Sequence, residues 1–141
     1  MSKNSRQLKY FDEFEIDDIG GWYGYTYFPP IDNKVQVLIP GEEDEINIPI
    51  ECELFYEELI AIYPELSKRI QKELFKLHNE FEEMKTIGDV WKIFQLESIS
   101  IDDTKLDDSD YWSLNYGTDY GGHIIEFEMK GRNISDSLLQ G

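Results

Sequence analysis

The side chains of this chain that could do chemistry are overwhelmingly carboxylates, with three dense runs at residues 12–18, 42–45 and 102–110. Acids at converging positions suit a calcium ion, provided a glycine turns the loop and a Glu closes it. The segment DDTKLDDSD (102–110) has neither at the required spacing, so its acids read as solvated loop residues. His78 and His123 belong to no Cys/His set with zinc spacing, and Cys52 is the only cysteine. No metal is expected. Cys52 could meet His123 as a nucleophile–base pair only through the fold, and a small buried thiol is the better reading. Gly20-Gly21 and Gly121-Gly122 lack the Lys-Ser or Lys-Thr of a phosphate loop and read as turns. Carboxylates are too numerous to single out an acid–base couple. No catalytic residue and no cofactor is expected, and the chain reads as non-enzymatic.

Thirty acidic residues stand against thirteen basic ones in 141 positions, a formal charge of -17. Such a surface repels nucleic acid and anionic membrane, and attracts basic surfaces over roughly a Debye length. A basic protein partner is expected. Aromatic residues make up 14% of the chain, too many for a solvated acidic tail. The length suits one domain, 1–141, with enough chain for a real core. No apolar run approaches a membrane span, and residues 1–10 lack the apolar stretch of a signal peptide. With one cysteine there is no internal disulfide, and the expected setting is the reducing cytoplasm.

The elements that must position these residues follow from periodicity. Residues 14–19 are a short strand candidate ending at Gly20-Gly21, and WYGYTYF (22–28) is a second. The latter puts Tyr23, Tyr25 and Tyr27 on one side and Trp22, Gly24, Thr26 and Phe28 on the other. Val35, Val37 and Ile39 mark another half-buried strand, and residues 46–49 a short one. Two helices are predicted in the middle, 51–62 and one from Pro64 onward, with Leu66, Ile70, Leu74, Leu77, Phe81 and Met84 in one stripe. Thr86 and Asp89 look like the capped start of a short third helix. Strands return at 94–101, 111–116 and 123–130. Trp112, Leu114 and Tyr116 share one face of theirs, and Ile125, Phe127 and Met129 one face of the next. Residues 1–10 and 135–141 read as loose ends. The predicted class is α+β: an antiparallel sheet with two to three helices on one face, in the order strands–helices–strands.

The tyrosine stripe has two readings. Either the rings pack under the helices with hydroxyls at the rim, or they form a patch for a partner, since Tyr is favoured in interfaces. The residues expected to contact a partner are the loop acids Glu42, Glu43, Asp44, Asp107, Asp108 and Asp110, with Tyr25 and Tyr116 as aromatic anchors.

Residues 98–134 run through a strand, an acidic loop, the aromatic strand YWSLNYG and then TDYGGHIIEFEMKGRNI. This order resembles the close of a group of small bacterial domains of unknown function linked to polymorphic-toxin immunity. Asp119 and His123 take the acid and histidine places of that motif, and Trp112 falls on its aromatic strand. Thr118 stands where the family pattern has Trp, and Ile124 where it has Gly. The resemblance implies a cytoplasmic protein that binds and blocks a secreted toxin domain without catalysis or cofactor. Apart from the resemblance, Asp119 and His123 read as structural, beside a Gly-Gly turn that an Asp can stabilise. The competing reading is a small acidic binding domain unrelated to toxins.

Overall fold

The computed structural model describes residues 9–11, 13–16, 20–41, 47–78, 86–102, 111–118 and 124–140. Its strands are β1 (Glu15–Ile16), β2 (Trp22–Phe28), β3 (Asn33–Ile39), β4 (Phe94–Ser100), β5 (Tyr111–Thr118), β6 (Ile124–Lys130) and β7 (Asn133–Gln140). Helices α1 (Ile50–His78) and α2 (Val90–Ile93) fall between β3 and β4. The strands form one seven-stranded sheet in chain order. The class is α+β.

Three expectations about this frame are corrected. First, β3 and β4 pair in parallel (Val37 opposite Ile99), while the other neighbours are antiparallel. A parallel neighbour needs a long crossover, and the α1–α2 segment supplies it. Second, Pro64 starts no new helix but lies inside α1. Proline removes one backbone bond, yet the apolar stripe runs unbroken across it through Leu59, Tyr63, Leu66, Ile70 and Leu74, all buried. Burying each such side chain contributes about 1.5–3 kcal/mol, enough to carry the helix over the proline. Leu77 is partly buried, and Phe81 and Met84 lie outside the described residues. Third, residues 135–140 are no loose end but belong to β7, paired along β6 from Lys130↔Asn133 to Ile124↔Gln140. Residues 47–49 carry no strand, although Ile48 is buried.

The N-terminal segment is also held where it is described. The buried carboxylate of Glu53, in the first turn of α1, accepts the backbone N–H groups of Lys9 (3.0 Å), Tyr10 (2.9 Å) and Phe11 (2.9 Å). Phe11 then packs on Tyr56 and Phe14. The Phe14 ring lies over Gly24, where any Cβ would strike it. Thr86 and Asp89 form the expected capping box, on a 3-10 turn leading into α2.

All of this packs on one side of the sheet. Val35, Val37, Ile39, Phe94, Leu96, Ile99, Trp112, Leu114, Tyr116, Ile125, Phe127 and Met129 form the core with α1. The expected grouping of Trp112, Leu114, Ile125 and Phe127 is present, with Leu114 directly opposite Phe127. Trp112 donates its indole N–H to the Gly131 carbonyl (2.7 Å) and meets Phe55 edge-on.

Candidate functional site

Strand alternation sends every second residue to the other side of this sheet, which α1 does not cover. The register assembles that side in rows. One runs Tyr25, Gln36, Ser98, Asn115, Glu126, Leu138, and the next Tyr23, Leu38, Ser100, Ser113, Glu128, Asp136. Tyr25 is 62% exposed and Tyr27 48%. The reading that packs these tyrosines under the helices is therefore corrected. They point away from α1 because Trp22, Thr26 and Phe28 occupy the buried parity of β2.

The centre of this face is low. Ser98, Asn115 and Gly117 carry short side chains or none, and a depression of about 590 Å³ opens there. Its lining includes Tyr25, Lys34, Gln36, Glu97, Asn115 and Ile124. Ser113, expected to face water, is buried on the floor of the same face. Asn115 donates its amide nitrogen to Ser98 Oγ (3.0 Å), which fixes the amide.

Glu97 owes its position to a bulge. Leu96 pairs with Tyr116 and Ser98 with Asn115, leaving Glu97 as an extra residue of β4. Its carboxylate lies on Gly117, where a Cβ would collide with it. It has no hydrogen-bond or ion-pair partner among the described residues. At the edge of the face, the Tyr27 hydroxyl donates to Asp32, and this bond raises the phenol pKa above its ordinary value.

A second hollow of about 340 Å³ lies beside the middle of α1, between Pro30, Tyr63, Ser67, Trp91 and Phe94. Polar groups around it are engaged within the fold. Ser67 donates to the Pro64 carbonyl, and the hydroxyls of Tyr63 and Tyr116 meet at 2.5 Å. Burial pushes the Tyr63 phenol up to about 12, and pushes Tyr116 well above its ordinary value.

Of the residues expected to contact a partner, Tyr25 is on the uncovered face. Tyr116 is corrected: it is enclosed in the core, pairs with Tyr63 and packs edge-on against Phe127, so no partner reaches it without opening the fold. Glu42, Glu43, Asp44, Asp107, Asp108, Asp110, Asp119 and His123 lie outside the described residues. Cys52 is in the core. Among the described residues, no three His, Cys, Asp or Glu side chains converge as a metal would need, and no helix is long and apolar enough to cross a membrane.

The sequence reasoning passed over Glu97, Gln36, Ser98 and Asn115. A signal for the bulge was there: apolar residues in β4 fall at 94, 96 and then 99, a break in the period of two. Compared with family models, curated proteins and solved structures, the chain matches none.

Proposed function

We propose that this protein is a non-catalytic binding domain that captures a basic protein partner, acting as an immunity protein that neutralises a toxin. One observation carries the reading: in a strongly acidic chain, one sheet face is uncovered among the described residues and carries solvent-exposed Tyr25 and Tyr27. Tyrosine supplies large contact area at low entropic cost, and complementary charge speeds encounter and rejects wrong partners. Enzymes that cut nucleic acid carry basic clefts, and carboxylates on an inhibitor match them. The resemblance of residues 98–134 to toxin-immunity domains supports the same class of partner. A lone cysteine suits action in the reducing cytoplasm.

The test is genetic and then biochemical. Deleting the gene should be lethal only while a neighbouring toxin-like gene is intact, and the two purified products should form a complex. Normal growth of the deletion strain with all neighbours intact would overturn the toxin reading.

A further inference from the structure

We propose that the depression on the uncovered sheet face is an arginine-docking trough, filled by a basic segment of the partner protein. The inference rests on the reading of the protein as a binder of a basic partner, and adds where and by what chemistry.

The sheet face around the trough has unlike borders. On β2 stand the phenols of Tyr23, Tyr25 and Tyr27, and on β6 and β7 the carboxylates of Glu126, Glu128 and Asp136. Between them β4 and β5 contribute the short Ser98, Ser100, Ser113, Asn115 and Gly117, with the longer Lys34, Gln36 and Leu38 of β3 and Glu97 of β4 beside them. Among the described residues this face carries five carboxylates (with Glu15 and Glu97) against the ammonium groups of Lys34 and Lys130. The field over the trough favours a cation.

Arginine fits the floor better than lysine. A guanidinium is planar, stacks on an aromatic face and presents five N–H donors in a fixed fork. Glu97 offers a carboxylate without a partner among the described residues, and it lines the same depression as exposed Tyr25, with β3 between them. Asn115 spends its N–H on Ser98, so its amide oxygen remains the acceptor. A guanidinium on the floor can donate to both, and a neighbouring arginine of the same segment can stack on Tyr25, whereas an ammonium is a point charge without the planar stack. Among the described residues, Lys34 is the cation that lines the trough, and it opposes the guest.

The experiment is a titration of the isotopically labelled protein with nona-arginine, and separately nona-lysine, followed by amide NMR shifts at low and physiological salt. Saturable shifts at Tyr25, Ser98, Asn115 and Gly117 are expected, with arginine binding more tightly than lysine. Tyr25→Ala and Glu97→Gln should each weaken arginine binding about fivefold or more, the scale of one cation–π or charge-assisted contact. Gly117→Ala should weaken it too, because the new Cβ displaces the Glu97 carboxylate. Lys34→Gln should tighten it. Saturable shifts confined to other surfaces would overturn the trough while leaving the basic-partner reading standing. Equal affinity for both peptides would overturn the choice of arginine. No saturable binding of either peptide even at low salt would overturn the basic-partner reading itself.

Discussion

The two faces of this sheet are drawn from the same strands, one residue out of phase, and are built for different work. On the face toward α1, Val37, Ile99, Leu114 and Phe127 stand directly across from one another, all buried. On the other face, the neighbouring row runs Gln36, Ser98, Asn115 and Glu126. Tyrosine makes the contrast clearest. Tyr63 and Tyr116 are sealed in with their hydroxyls on each other, while Tyr25 stands in solvent with no hydrogen-bond partner among the described residues. The same side chain is core material at one parity and solvent-exposed surface at the other. In the proposed function, stability and recognition fall to separate residues, and substitutions can address them one at a time.

The sharpest break between the faces should come from Leu74→Ala. The site is fully enclosed, and truncation should cost about 2–5 kcal/mol in urea unfolding. An unchanged midpoint would remove α1 from the core. Next in size is Glu53→Gln. It leaves backbone donors of residues 9–11, buried at Phe11 and part-buried at Lys9 and Tyr10, short of acceptors, at a cost of about 1–3 kcal/mol, and hydrogen exchange of Tyr10 and Phe11 should accelerate. Unaltered exchange there would show that the aromatic contacts alone hold the segment.

The buried phenols give a pH dependence of definite sign. Tyr63 and Tyr116 are neutral in the fold and ionise above their ordinary value of 10.0, chiefly because burial disfavours the charged form. Their contribution is therefore complete below pH 10.0 and is lost as pH rises toward Tyr63's folded value of about 12. Each group can add a slope of about 1.4 kcal/mol per pH unit in that window. Tyr63→Phe should make the fall shallower, and a wild-type curve flat across this range would contradict the enclosed hydroxyl pair. The smallest effects on stability belong to the uncovered face. Tyr25→Ala and Gly117→Ala should each shift unfolding by about 0.5 kcal/mol or less, the first exposed, the second meeting only the movable end of Glu97.

Much of the covered face was legible in the sequence, because period-two alternation is a direct imprint of one-sided burial. WYGYTYF, YWSLNYG and the 123–130 segment sorted their residues correctly by parity. That same parity puts Tyr116 beside Trp112 and Leu114, and so already excluded it as a surface anchor. What the alternation could not carry was anything that breaks it. The bulge at Glu97 shifts β4 by one residue, and another between Glu128 and Met129 disturbs the pairing of β7, which hid that strand in NISDSLLQ. Pro64 misled for a related reason: local propensity argued for a helix start, and packing on either side overrode it. The site was half legible. Tyr25 announced itself as part of an aromatic stripe, but the trough is made by residues far apart in sequence, and only the register of β3, β4 and β5 brings Gln36, Ser98 and Asn115 into one row.

The most direct test of the division between faces uses one protein preparation and two readouts. For the double variant Tyr25→Ala, Glu97→Gln, the urea midpoint and the affinity for nona-arginine are measured side by side against the parent protein. The account predicts a midpoint within experimental error of the parent and binding weakened by more than either single change produces. A lowered midpoint with unchanged affinity would contradict it, placing these side chains among those that hold the fold rather than those that meet a partner.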